Sequence, residues 1–320
     1  MTVLSSSELA EILDQKLRVT PEDLSSCLAE PPVTAETAIG SVEYSERGEG
    51  PVVLVSHGGP GGYDQGLVIG ELFRKSGFRV IAPSRPGYLG SSVELGRTAE
   101  EQGDFMYALL EALNIEDVIS VGVSGGGPAA SQLAIRHPDR VRGLLSIDAI
   151  SMHYTKVAEI SHLEEWVYLS SPGQWLMGFF FKHFPAQVIK EFLQTESTLD
   201  GHAIGLRVKE IMGDENKFAF VSAMMETMCS RFGERKVGAK NDITMGAAIE
   251  RLPLSSVQCP FLIVHGRQDN DVPPRDAEYA HKEVPGSQLL WIEEASHIGF
   301  WTSADALAAQ RFVLDWAKHI

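Results

Sequence analysis

An α/β fold, with a mostly parallel sheet, helices on both faces and an inserted helical cap, is what this sequence predicts. Three observations carry the expectation. Short strand candidates alternate with helical segments over most of the chain, and alternating βα units imply a parallel sheet. The later strands are apolar at nearly every position, as strands buried on both faces are. The alternation then lapses over residues 151–245, a stretch helical in pattern and rich in Met, Phe and Trp, before core strands resume.

The elements follow in order. Residues 5–30 read as two short helices. Ser6 or Ser7 caps the first, and Thr20-Pro21-Glu22-Asp23 opens the second with proline at the first helical position and acids in the first turn. Strand candidates are 37–44, 52–56, 79–82, 118–123, 141–147, 261–265 and 288–293. The short Arg47-Gly48-Glu49-Gly50 turn predicts that the first two pair antiparallel. Helices are expected from Asp64 to Gly77 and from Thr98 to Leu113, the latter behind a capping box with Glu101. Others follow Ser124, cover 275–283, and run from Ser303 as N-cap towards the C-terminus. The expected organisation is an N-terminal helical extension over 1–34, packed on the core or on a second subunit, a core over 35–150 and 246–320, and a cap over 151–245.

The 320 residues suffice for one large domain with an insertion, and the formal net charge of −16 argues against nucleic acid or an anionic membrane as main partner. Cys27, Cys229 and Cys259 are odd in number and lack metal-ligand spacing, so they read as free thiols in a reducing, cytoplasmic compartment. The N-terminus lacks the basic and apolar regions of a secretory signal, and the most apolar run, 175–181, is far too short to span a bilayer. A soluble protein without membrane insertion is expected, with a homodimer left open as its assembly.

Chemistry concentrates at four places. The run 118–123 leads into Gly122-Val123-Ser124-Gly125-Gly126, a serine between small residues at a strand-to-helix turn. Such a turn lifts the hydroxyl clear of the sheet and sets it at a helix N-terminus, which favours developing negative charge. Serine needs a base and a group to orient that base. Strand 261–265 runs into a loop carrying Asp269, and strand 288–293 into one carrying His297, so both emerge at the sheet edge that presents Ser124. Strand 52–56 feeds His57-Gly58-Gly59-Pro60-Gly61-Gly62, where glycines let backbone N–H groups approach an oxyanion; the hole is assigned to Gly59 and Gly125.

Each residue has a plainer alternative. Ser124 could cap the helix that follows it. Asp269 has rivals in Asp271, which could cap the next helix, and in Asp148, at the end of the strand after the elbow helix. His57 reads as a structural residue orienting the glycine loop, and Arg85 as one holding a loop through carbonyls. The cap aromatics Trp166, Trp175, Phe179, Phe180 and Phe181 read mostly as packing, with Trp175, Phe179 and Phe180 the substrate-binding candidates. The cap carboxylates Glu159, Glu164, Glu165, Glu191, Glu196 and Glu210 read as a solvated face. No phosphate-loop, dinucleotide or metal pattern is present, so no cofactor is expected.

Together these motifs resemble the α/β-hydrolase superfamily: H-G-G-P-G-G at 57–62, S-R-P-G-Y-L-G-S-S at 84–92, G-V-S-G-G at 122–126, H-G-R-Q-D-N-D-V-P at 265–273 and S-H at 296–297. The resemblance implies an eight-stranded sheet with the second strand antiparallel, a helical lid, and Asp269 as the acid of the G-x-x-D-x-x-V-P pattern. It further implies a serine hydrolase cleaving a small or medium carboxylic ester with an apolar part. The glycine loop also looks like that of proline iminopeptidases, which typically carry Trp where this chain has Gly125. A C–C bond hydrolase and a ligand-binding receptor on the same fold are the other readings. Epoxide hydrolases and haloalkane dehalogenases need Asp at position 124.

Overall fold

Local signals set several helix starts. Thr20 accepts from the Asp23 N–H while the Asp23 carboxylate accepts from the Thr20 N–H, and Thr98 and Glu101 repeat this reciprocal cap. Each such cap is worth about 1 kcal/mol. They open α1 (Pro21–Ala29) and α3 (Ala99–Ala112). The computed structural model describes residues 18–154, 166 and 169–320; the expected first helix and its serine cap lie outside them. Between α1 and α3 come β1 (Val33–Thr37), β2 (Gly40–Arg47), β3 (Val52–Ser56), α2 (Tyr63–Lys75) and β4 (Arg79–Pro83). After α3 come β5 (Val118–Val123), α4 (Gly127–Arg136) and β6 (Val141–Ile147).

The helices α5 (Ser171–His183), α6 (Pro185–Glu196), α7 (Gly201–Gly213), α8 (Glu215–Cys229) and α9 (Phe232–Ala248) lie between β6 and β7 (Phe261–Gly266). The chain ends with α10 (Arg275–Glu283), β8 (Gln288–Ile292), the short α11 (Gly299–Thr302) and α12 (Ala306–Lys318). The sheet has eight strands in the order β1-β2-β4-β3-β5-β6-β7-β8. β2 is antiparallel to both neighbours, and pairing is parallel from β4 to β8.

Alternate residues of each strand face opposite layers. Val53, Val55, Ile119, Val121, Leu262 and Val264 join Leu67, Phe73 and Val313 on one side, where Leu24 and Cys27 pack α1 onto the same core. Leu54, Ile81, Leu144 and Ile263 join Phe105, Leu109, Leu133 and Ala277 on the other. Among the described residues no helix is long and apolar enough to cross a membrane.

Three local expectations are corrected. The single strand expected over 37–44 is the end of β1, a tight turn and half of β2; the apolar Ala38-Ile39 hid the turn, which Gly40 makes at φ +129°. The strands flanking the turn at 47–50 do not pair, because β2 pairs with β4 and β3 lies beyond it. Strands sit about 4.8 Å apart, so stepping over one takes about 10 Å, well within reach of the short link 48–51. Finally, Ser303 does not cap the last helix. Its N–H donates to Gly299 O and so closes α11, while α12 begins behind Asp305.

Candidate active site

The turn after β5 is as tight as its composition implies. Ser124 has φ +52°, the left-handed region that an L-residue enters only at a cost of about 1–3 kcal/mol. A Cβ on Gly126 would stand 2.2 Å from Ser56 O, and one on Gly122 would stand 2.8 Å from Ala130 Cβ. Neither position admits a side chain without displacing a neighbour, so the two glycines are what lets β5, β3 and α4 close around the serine. Ser124 lies at the start of a short 3₁₀ turn (Ser124–Gly126) that runs into α4.

The glycine loop after β3 is held by its carbonyls. His57 Nδ1 donates to Gly58 O at 2.6 Å, and His57 Nε2 accepts the Arg85 N–H at 3.0 Å, which fixes a neutral ring. Burial, and then the Arg85 charge, hold its pKa well below the usual imidazole value, in keeping with that tautomer. Arg85 Nε donates to His57 O at 2.9 Å. His57 and Arg85 thus both brace this loop. The Gly59 nitrogen lies 3.8 Å from where a Cβ on Gly125 would be, so the loop and the elbow meet at the serine.

The acid and the histidine meet at the same edge. Asp269 is fully buried; its Oδ1 accepts from the N–H groups of Asp271 at 2.8 Å and Val272 at 3.0 Å, and its Oδ2 accepts from His297 Nδ1 at 2.8 Å. Backbone hydrogen bonds from Arg267 to Ile292 O and from Gln268 to Ala295 O lash the two loops together. Burial opposes charging of His297, but the carboxylates of Asp269 and then Asp271 outweigh it, so its pKa is raised well above the usual imidazole value. Nε2 of His297 lies 3.4 Å from Asp271 Oδ2, and Tyr154 donates to Asp271 Oδ1 at 2.9 Å. Among the described residues no hydrogen bond joins Ser124 Oγ to His297, although both line one cavity.

Asp148, the other rival acid, lies behind this pair. It is fully buried, sits at φ +46°, and accepts the Gly266 N–H at 2.8 Å. Burial, and then the Asp269 charge, raise its pKa well above the usual carboxylate value. Asp148, His265 and Asp269 bring one donor atom each within 4.8 Å of one another, a grouping without a sequence signature. His265 Nε2 donates to Val272 O and Asp269 Oδ2 is engaged by His297, so hydrogen bonds within the protein already use this group.

Two cavities open on the serine. One, of about 110 Å³, runs from Ser124 and His297 between Phe181, Leu193, Val221 and Met225. The other, of about 180 Å³, runs from Ser124 and Gly125 towards Tyr88, Tyr154 and Asp242. Gly59, Phe192, Glu196, Met228 and Asp271 border both. Trp175, Phe179 and Phe180 are instead exposed on the outer side of α5, while Phe181, about 100° further round the helix, faces the first cavity. Trp166 is exposed as well, and of the carboxylates that read as a solvated face, Glu196 lines the cavities. Glu210 pairs with Arg207 and Lys217; Glu191 is exposed; Glu159, Glu164 and Glu165 lie outside the described residues. The end of α6 is stitched to the acid loop: Thr198 N–H donates to Gln268 O at 2.9 Å and Asn270 N–H to Glu196 O at 3.1 Å.

Comparison with known proteins agrees with this architecture. The family model described as the alpha/beta hydrolase fold matches residues 51–304. The chain is 28% identical over 283 residues to the uncharacterized hydrolase YcgS of Bacillus subtilis, covering 87% of this chain and 95% of that one. It is 31% identical over 189 residues to a pimeloyl-[acyl-carrier protein] methyl ester esterase of Neisseria meningitidis, covering 59% of this chain and 66% of that one. Among solved structures, an alpha/beta hydrolase fold protein from Nakamurella multipartita superposes with a TM-score of 0.84 at 32% identity, covering 90% of this chain and 99% of that one. The sheet order, the strained serine and these likenesses converge: the chain belongs to the alpha/beta hydrolase fold family.

Proposed function

We propose that this protein is a serine hydrolase that cleaves a small or medium carboxylic ester, with an apolar acyl part, through an acyl-enzyme on Ser124. One observation carries the reading: a serine held in left-handed backbone shares a cavity with His297, whose Nδ1–H is bound by the buried carboxylate of Asp269. In the reaction His297 Nε2 turns from Asp271 to Ser124 and takes its proton as Oγ attacks the acyl carbonyl. The N–H groups of Gly59 and Gly125 receive the oxyanion, a contribution of about 3–4 kcal/mol for each donor in such sites. The imidazolium then protonates the departing alcohol, and water repeats the cycle on the acyl-enzyme.

The apolar cavity between Phe181, Val221 and Met225 suits the acyl chain, with the helical insertion as a lid above the serine. The carboxylic methyl ester named for one relative supports ester chemistry. The free thiols of Cys27, Cys229 and Cys259 suit a reducing, cytoplasmic setting. The test is hydrolysis of p-nitrophenyl butyrate beside prolyl p-nitroanilide. Saturable ester turnover, abolished in Ser124→Ala together with fluorophosphonate labelling, is expected. Preferential anilide cleavage, or labelling that survives the substitution, would overturn the proposal.

A further inference from the structure

Two buried guanidinium–carboxylate pairs fasten α9 to the glycine loop, and the serine mechanism does not account for them. Arg235 is wholly buried. It donates to Asp64 at 3.0 Å (NH1 to Oδ1) and 2.6 Å (NH2 to Oδ2), and its NH1 also donates to Gly61 O at 2.8 Å. Arg85, equally buried, pairs with Asp242 in the same two-pronged way at 2.7 and 2.6 Å, and Tyr88 adds its hydroxyl to Asp242 Oδ2 at 2.6 Å. Residues 235 and 242 are two helical turns apart, so one face of α9 supplies the base of one pair and the acid of the other. Between them Gly238 presses on the loop after β4: its N–H donates to Gly87 O at 2.8 Å, and a Cβ there would strike the Tyr88 ring at 2.3 Å.

The effect falls on the loop's carbonyls. His57 O and Gly58 O accept from Arg85, Pro60 O accepts from Gln65, and Gly61 O accepts from Arg235. These four carbonyls are thus tied to the scaffold rather than free to turn to the serine. Both Gly59 and Gly125 lie against Asp242, whose Oδ2 would stand 3.0 Å and 3.5 Å from a Cβ on each. A carboxylate so close to a developing oxyanion would oppose catalysis unless Arg85 neutralised it. We propose that Asp242 and Arg235 are positioning residues which, through Arg85 and Gly61, set the orientation of the oxyanion-binding N–H groups. Resting on the serine-hydrolase reading, this extends the machinery to a helix of the insertion.

The test compares wild type with Asp242→Asn, which keeps the shape but strips Arg85 of its counter-ion, and with Arg235→Lys, which cannot make the two-pronged bond. Misplaced donors are expected to lower kcat for p-nitrophenyl butyrate by about 10²-fold, with KM little changed. Affinity for a boronic acid that forms a tetrahedral adduct should fall by a similar factor, while affinity for the product carboxylate holds, and the pH profile should keep its midpoint. A purely structural role would instead weaken both ligands alike. If folded Asp242→Asn keeps wild-type kcat, or loses both ligands equally, the inference fails; if Asp242→Asn does not fold, Arg235→Lys decides by the same comparison. Absence of ester turnover and probe labelling in wild type would defeat the serine-hydrolase reading instead.

Discussion

Asp271 Oδ2 stands 3.4 Å from Nε2 of His297, the nitrogen that the proposed mechanism turns towards Ser124. The same imidazole therefore has a carboxylate at each nitrogen, and its raised pKa follows mainly from Asp269 and then Asp271 working against burial. The proposed mechanism needs the neutral ring, so activity is expected to rise with pH through that raised pKa. Asp271→Asn removes one of the two anions and should move the acidic limb of kcat/KM to lower pH, as a pH–rate profile would show; an unmoved limb would exclude the coupling. Stability runs the other way. Because the folded state holds the proton more tightly, the stabilising contribution of His297 is complete below the ordinary imidazole pKa of 6.5 and is lost as pH rises through the raised value.

The two buried acids near His297 should separate cleanly. Asp269→Asn deprives the ring of its orienting anion and is expected to cost about 10⁴-fold in kcat. Burial and the Asp269 charge raise the pKa of Asp148 and so favour its uncharged form, and asparagine tolerates its left-handed backbone, so Asp148→Asn should leave kcat little changed. Steady-state kinetics on the two purified variants would decide, and equal losses would show that the acid role is shared.

Strain at the elbow should be measurable. With residue 124 at φ +52°, Ser124→Gly relieves the backbone whereas Ser124→Ala keeps it. Both lack the hydroxyl, so activity is lost in each, but the glycine variant should be more stable than the alanine one by about 1 kcal/mol. Urea denaturation of the pair gives that difference directly.

The apolar cavity should limit acyl length. Val221 borders the first cavity and not the second, and Val221→Trp places a ring in the proposed acyl path. Hydrolysis of p-nitrophenyl octanoate should fall relative to acetate by about 10-fold or more. A ladder of acyl lengths would reveal it, and an unchanged length preference would move the acyl chain to the other cavity.

How much of this was legible in the sequence depends on where each side chain gets its neighbours. Ser124, Asp269 and His297 each follow a strand at the same end of a parallel sheet, so strand ends alone bring them to one edge. There Asp269 and His297 hydrogen-bond, and Ser124 shares a cavity with His297. The pairs Arg85–Asp242 and Arg235–Asp64 join residues 157 and 171 positions apart. A single charge on a helix looks solvated until the opposite charge is packed against it, so those partners left no mark in the pattern. The aromatic run of α5 illustrates a related limit. Composition marks Trp175 to Phe181 as apolar, but only packing decides that Phe181 turns inward while Trp175, Phe179 and Phe180 stay out. Strand order was likewise hidden at β2, because a short link permits a step over one strand as readily as a hairpin.

The fastening of α9 has a consequence for protein engineering. Grafting a different lid at the outer boundaries of the insertion would discard Arg235 and Asp242 together and leave Asp64 and Arg85 as unmatched buried charges. A chimera joined instead at the left-handed Arg231, between α8 and α9, would exchange the walls of the proposed acyl cavity while retaining the native bolts on either side of the glycine turn.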